Sequence, residues 1–321
     1  MMLAMKSDAI DLIGVTTVNG NRIVPKTTEN ALRVVQFMKS SVPVYRGCEE
    51  PIICNEIPGR KPGLPRVTLN DCHGDFLPLP EAEIRTEKEH AVFYLVKTLM
   101  ESEGDIYVAA VGPLTNLAMA LRIEPKIAGK IKQLVIMGGG HCGANASPAA
   151  EFNFYADPEA AKIVMDSAIP KVILPLDATW RACLSEEKCK ELAQLGTPEA
   201  KVAAALVQKR IDNLKVNDVS EHNYALRHQA GTVAGAMLYR YDNHMAPIHD
   251  ALAIAYLINE NVVTELADAN VDIDIAGGLC DGRMVADFHN AKKSKAPVTA
   301  KVALNSDAGL FTDMLFAALG K

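Results

Sequence analysis

The sequence predicts an α/β fold with an open, mostly parallel central sheet covered by helices on both faces. Three observations carry that reading. Short, continuously apolar segments recur along the chain, as in strands buried on both sides. Between them lie stretches with apolar residues at helical spacing. The punctuation between the two, Gly-Pro, Gly-Gly-Gly and Asp-Pro, is turn and cap chemistry. The chain has 321 residues, of which 49% are hydrophobic and 22% charged. Those are globular proportions, which exclude disorder and a collagen-like chain. We read residues 1–321 as a single domain.

Taken in order, Ala9 to Val18 is β-rich and runs into Asn19-Gly20-Asn21, a turn signal. From Glu29 to Lys39 the apolar residues follow a helical period. The proline-rich segment 50–85 is a long loop with a functional rather than a boundary role. Thr86-Glu87-Lys88-Glu89 has capping-box form ahead of a helix carrying Ala91, Val92, Leu95, Val96 and Leu99. Asp105 to Val111 is a short strand closed by Gly112-Pro113, and a helix follows from Leu114 to Arg122. Gln133 to Met137 is another strand, closed by Gly138-Gly139-Gly140. Asp157-Pro158 opens a helix through Met165, with Asp at the N-cap and Pro at the first helical position. Lys171 to Leu176 is a further strand. Leu184 to Asn259 reads as mainly helical, and strands return near Val271–Ile275 and Val298–Val302. No internal repeat, low-complexity tract or interdomain linker interrupts this pattern.

A net charge of −6 makes the chain a poor general binder of nucleic acid or of an anionic membrane. No apolar run approaches the roughly 18 residues that span a bilayer, and the start does not read as a signal peptide. Seven cysteines without a CxxC pair indicate neither a zinc cage nor a disulfide framework. A reduced, cytoplasmic compartment is the simplest reading.

In open parallel sheets, ligands bind beyond the carboxyl ends of the strands. That rule picks out Asn19 and Asn21 after the first strand and Val111 with its backbone carbonyl after the second. It also picks Met137 with the nearby Asn145, Glu151 and Asn153 after the third, and Asp177 after the fourth. These are hydroxyl binders and carboxylates, not a phosphate cradle. Gly138-Gly139-Gly140 lacks the spacing of a dinucleotide loop and reads as a tight turn. Glu151 and Asn153, two apart, share one face if extended; they suit sugar hydroxyls or simply edge a polar loop. Asp250, at the start of a strongly apolar helix, is either a cap or an oxygen ligand for a hard cation such as calcium. His249 beside it suits a general acid near neutral pH, or is a structural histidine, as His73 also could be. Trp180 reads as packing rather than stacking.

Together these segments resemble the nucleoside hydrolase family, calcium-dependent enzymes that cleave N-glycosidic bonds. Thr16-Thr17-Val18-Asn19-Gly20-Asn21 resembles the family's T-T-x-x-G-N. Gly112-Pro113-Leu114-Thr115-Asn116-Leu117-Ala118 matches G-P-L-T-N-x-A, and Met137-Gly138-Gly139 matches M-G-G. Asn145 through Asn153 matches N-x-x-x-x-A-E-F-N, and His249-Asp250-Ala251 matches H-D-A. The matches run in family order over roughly the whole chain. The resemblance implies a nucleoside hydrolase-like fold. Asp250 and the Val111 carbonyl would be calcium ligands. Asn21, Asn145, Glu151 and Asn153 would bind ribose hydroxyls, with Met137 lining the sugar pocket. His73 and His249 would face the base, His249 as the proton donor.

The family opens with D-T-D-x-G-x-D-D, which supplies calcium carboxylates and the base that activates water. Here Met2-Leu3-Ala4 stands where the family's next helix runs, and neither Asp8 nor Asp11 substitutes. The expectation is that the first strand and its aspartate motif are absent from the chain as written. A product made from Met1 would then bind calcium weakly, be poorly soluble and turn over nucleosides poorly. The function implied is calcium-assisted hydrolysis of ribonucleosides to ribose and free base, through an oxocarbenium-like transition state. The alternatives are a non-catalytic ribose or nucleoside binder, or a hydrolase of another ribosyl compound. The resemblance also implies a homodimer or homotetramer. With Trp180 as the single tryptophan, two cannot sandwich a purine, so a broad or pyrimidine-leaning base preference is expected.

Overall fold

The computed structural model describes residues 1–53, 56, 74–216, 245–288 and 297–321. The chain opens with α1 (Met2–Lys6), β1 (Val15–Thr17), α2 (Val24–Phe37) and β2 (Val44–Arg46). It continues through α3 (Ala91–Glu101), β3 (Ile106–Ala110), α4 (Thr115–Ile123), β4 (Ile131–Met137), α5 (Phe152–Ala156) and α6 (Pro158–Met165). Next come β5 (Lys171–Leu174), α7 (Leu176–Thr179), β6 (Cys183–Ser185), α8 (Glu186–Gln194), α9 (Pro198–Val216) and β7 (Met245–Pro247). The last elements are α10 (His249–Ile258), β8 (Val263–Ile273), β9 (Met284–Asp287), β10 (Ala300–Ser306) and α11 (Ala308–Leu319).

The central sheet has the order β3-β4-β5-β10-β8-β9. Strands β3, β4, β5 and β10 run parallel, whereas β8 and β9 add antiparallel at one side. Period-two alternation in β4 and β5 sends side chains to two different cores. Leu134, Ile136 and Ile173 join residues of α3, α4 and α6 on one face. Val135, Met137, Val172 and Leu174 join Leu252, Ala253, Ala255 and Tyr256 of α10 and Phe311 of α11 on the other. Burial on both faces is why these strands read as unbroken apolar runs. The predicted architecture is therefore the observed one.

Several local expectations need correction. The first strand is three residues long, not ten, because β2 offers only Val44, Tyr45 and Arg46 as parallel partners. Thr86 does not cap α3. Glu87 N–H donates to Val44 O at 2.9 Å, which carries that segment along β2, and the cap is His90, whose ring accepts from Val92 N. The stretch from Leu184 is not purely helical: β6 and β7 pair antiparallel, each too short to show a period in the sequence. The Asp157 cap before Pro158 is as expected, with its side chain accepting from Ala160 N.

β1 and β2 form a separate two-stranded sheet, tied to the α4 end of the main sheet by Asn116. Its Nδ2 donates to Thr17 O at 2.9 Å and its Oδ1 accepts from Cys48 N at 2.8 Å. Asn116 is buried, so truncation strands one carbonyl and one N–H together. Each stranded group costs about 1–3 kcal/mol. Asn116→Ala is expected to lower the denaturant-unfolding free energy by at least about 2 kcal/mol. A change under about 0.5 kcal/mol, the range of a neutral surface substitution, would refute this bridging role.

Candidate functional site

Of the predicted residues, Met137, Asn145, Glu151 and Asn153 gather where β4 ends, and His249 meets the turn that follows β5. Beyond Met137 the chain turns at Gly139, whose φ of +73° is left-handed. A Cβ there would meet Met284 Sδ at 2.7 Å and the Phe154 ring at 2.8 Å. Glycine is thus required both by conformation and by close approach, and the tight-turn reading of this segment holds. The turn leaves room for Glu151, whose side chain is the N-cap of α5. Its carboxylate accepts from Gly139 N at 2.8 Å, Asn153 N at 2.9 Å and Phe154 N at 3.3 Å.

Glu151 itself is extended, but the helix begins at Phe152, so the same-face argument for Glu151 and Asn153 does not apply. A helix start brings them together instead. Asn153 Nδ2 donates to Met137 O at 3.0 Å and to its Sδ at 3.4 Å. Asn145 belongs to the same construction: its Oδ1 accepts from Phe152 N at 2.8 Å. Met137, Asn145, Glu151 and Asn153 are thus one hydrogen-bonded unit.

β5 contributes through α7. Asp177, buried, accepts from His141 N at 2.8 Å and Cys142 N at 2.9 Å. It stitches the loop after β4 to the end of β5. Trp180 is 4% exposed and lies in the core beneath Gly143, whose added Cβ would meet its ring at 2.3 Å. It packs, as expected.

His249 and Asp250 begin α10. The residue at the cap position is Ile248, and no side chain caps this helix, so Asp250 is not a cap. His249 Nδ1 lies 2.8 Å from Thr179 Oγ1. Asp250 is accessible to solvent, yet protein encloses its carboxylate closely enough to raise its pKa to about 6 by desolvation. The Met1 amino group and the Arg210 guanidinium oppose that shift. Glu151 is raised further, to about 7: burial outweighs its three N–H donors, and the charge of Asp250 adds to the shift. The two acids are therefore neighbours that repel.

Three predicted residues remain: Asn21, Val111 and His73. Asn21 is exposed, in a turn whose Gly20 approaches Pro113 and Phe152. Val111, also exposed, precedes Gly112-Pro113 on that rim. No hydrogen bond, ion pair or ring contact among the described residues joins Asn21 or Val111 to Asp250. His73 lies outside the described residues. Its neighbour Gly74 lies against Lys209 of α9, next to the Arg210 that acts on Asp250.

A hard cation suits this chemistry in kind. Asp250 presents an accessible carboxylate that accepts no hydrogen bond among the described residues, beside a second carboxylate, and calcium takes oxygen ligands. In number the set is short. Among the described residues no three His, Cys, Asp or Glu stand close enough together to hold a metal.

A family model described as inosine-uridine preferring nucleoside hydrolase matches residues 1–313. The chain belongs to the inosine-uridine preferring nucleoside hydrolase family. It is 34% identical over 318 residues to the pyrimidine-specific ribonucleoside hydrolase RihB of Shigella flexneri serotype 5b, covering 97% of this chain and 89% of that one. To RihB of Escherichia coli O157:H7 it is 33% identical over 314 residues, covering 96% and 88%. Among solved structures, it superposes on the purine-preferring ribonucleoside hydrolase from Gardnerella vaginalis with a TM-score of 0.82 at 23% identity, covering 99% and 93%. An inosine-guanosine nucleoside hydrolase superposes with a TM-score of 0.80 at 22% identity over the same shares. The latter two likenesses speak for the fold. As a member of this family the chain is an enzyme whose reaction class is hydrolysis of the N-glycosidic bond of ribonucleosides.

Thr179, two residues beyond Asp177, is the site residue that sequence reading missed. The signal available was its place in the turn that closes a strand feeding the site. The acid pair gives a testable consequence. Glu151 has a folded pKa above its unfolded value, so the folded state holds the extra proton between about pH 4.5 and 7 and loses stability as pH rises through that window. Glu151→Gln removes that loss. In calcium-free buffer, the stability of the variant relative to the parent protein is expected to climb from pH 4.5 to 7 and then level off. A difference that stays flat across the window would show that Glu151 titrates normally.

Proposed function

We propose that this site hydrolyses ribonucleosides with calcium bound, holding the ribose between the β4 unit and Asp250. The observation that carries this reading is the juxtaposition of the buried Glu151 with the accessible Asp250 and His249, at the carboxyl ends of parallel strands. Glu151, Asn145 and Asn153 supply acceptors and amides for ribose hydroxyls, with Met137 as the apolar wall. Asn21 closes the sugar from the rim. Held this way, C1′ meets water in a fixed geometry. Asp250 and the Val111 carbonyl would hold the calcium, with ribose hydroxyls and water as further oxygens. The ion would orient those hydroxyls and make a bound water more acidic. His249, with His73 beside the base, gives a proton to the departing base.

Asp250→Asn separates this reading from a structural one. The aspartate does not cap its helix, so the substitution is expected to leave folding near normal. Calcium affinity, read by calorimetry, should fall, and turnover of uridine should drop by at least about a hundredfold. Near-normal values of both would remove Asp250 from the metal site.

We also propose a pyrimidine-leaning or broad base preference. The RihB relatives are named as pyrimidine-specific, and the single tryptophan, Trp180, is packed in the core rather than presented to a base. Comparing kcat/KM for uridine, cytidine, inosine and adenosine tests this. A purine preference beyond tenfold, about 1.4 kcal/mol of transition-state discrimination, would contradict it. A cytoplasmic homodimer or homotetramer completes the reading; the five described cysteines are free thiols, which supports a reducing compartment.

A further inference from the structure

We propose that Thr179 is a positioning residue that fixes the His249 imidazole so that proton transfer to the departing base runs through Nε2. This rests on the reading of His249 as the proton donor.

The hydroxyl and the ring are held by separate, rigid supports. Thr179 is fully buried and ends α7, where its N–H donates to Pro175 O at 3.0 Å. Ser306 Oγ, from the end of β10, donates to the adjacent Ala178 O at 2.8 Å. Ala182 N donates to Thr179 O at 3.1 Å, and Ile248 N donates to Ala182 O at 2.8 Å. That last bond fixes the entry of α10, and hence His249, to the same turn. A β-branched side chain adds stiffness at χ1. The 2.8 Å contact between Thr179 Oγ1 and His249 Nδ1 therefore joins two anchored groups rather than two mobile ones.

The choice of a hydroxyl has a chemical consequence. A threonine hydroxyl both donates and accepts. By rotating its own hydrogen it can hold Nδ1 whether or not that nitrogen carries a proton. The hydroxyl therefore holds the ring's orientation. With Nδ1 engaged, a proton passed to the base must travel on Nε2. The C1′–N bond breaks with its electron pair going to the base, which takes the Nε2 proton as imidazolium becomes imidazole. Water adds to C1′ and releases one proton to solvent, from which the imidazole regains its own, so the overall reaction is nucleoside plus water to ribose plus base.

The test compares two substrates: uridine, whose base needs a proton to leave, and an aryl β-riboside whose phenolate leaves without one. Thr179→Val keeps the shape and removes the hydroxyl, Thr179→Ser keeps the hydroxyl, and His249→Ala removes the donor. For Thr179→Val, kcat on uridine is expected to fall roughly ten- to hundredfold. Its KM and its rate on the aryl riboside should move by less than about threefold, and Thr179→Ser should restore kcat. Thr179→Ala in the same assays decides the question if the valine variant does not fold. Normal kcat in both hydroxyl-free variants, beside an impaired His249→Ala, overturns the role of Thr179 and leaves the His249 reading intact. An equal loss on both substrates also overturns it, as the mark of a purely structural residue. If His249→Ala is itself unimpaired on uridine, both fall together.

Discussion

Glu151 buries its carboxylate at the carboxyl end of β4 and accepts three backbone N–H groups, from Gly139, Asn153 and Phe154. A buried carboxylate is costly unless it is well bonded, so this interaction fixes the conformation of everything around it. It requires the left-handed turn at Gly139 and starts α5 at Phe152. By starting α5 it turns Asn153 back onto Met137. Three N–H donors do not fully offset burial, and Asp250 stands close enough to raise the pKa further. The result is a carboxylate poised to accept more hydrogen bonds or a nearby positive charge. Ribose hydroxyls and a cation are ligands of that kind.

The fold's contribution is to bring four segments of distant sequence to this carboxylate. Strand β4 lies between β3 and β5, and β5 between β4 and β10. Covering both faces with helices leaves the strand ends as the open place for polar groups. Asp177 binds the loop after β4 to α7, and Thr179 in the same turn reaches His249. Asn116 ties the β1–β2 sheet to α4, which keeps the Asn19–Asn21 turn against Pro113 and Phe152. Stability and site geometry thus share their polar contacts.

Much of this was legible from the residues. Strands β4 and β5 could be read because both faces are buried, which leaves an unbroken apolar run. The Asp157-Pro158 helix start could be read because cap chemistry is local. By contrast, β2, β6 and β7 are three residues each, shorter than any period. The false cap at Thr86 looked right locally, but a long-range bond from Glu87 to Val44 decided the segment. In the site, residue types at the strand ends pointed to Glu151 and Asn153, the start of an apolar helix pointed to Asp250, and the resemblance gave them roles. Their actual relation, a helix cap beside an accessible acid, is tertiary, as is the reach of Thr179 across seventy residues to His249.

The central claim is that Glu151 and Asp250 form a desolvated acid pair completed by ribose and a cation. An isotope-resolved carboxyl NMR titration tests it most directly, run on the protein alone and then with saturating calcium and ribose, with Glu151→Gln and Asp250→Asn to assign the signals. The account expects the pair in the free protein to keep a proton well above the usual carboxylate range. Calcium and ribose together should then lower both apparent values. Ordinary carboxylate titration in the free protein, or raised values that calcium and ribose leave unmoved, would contradict it.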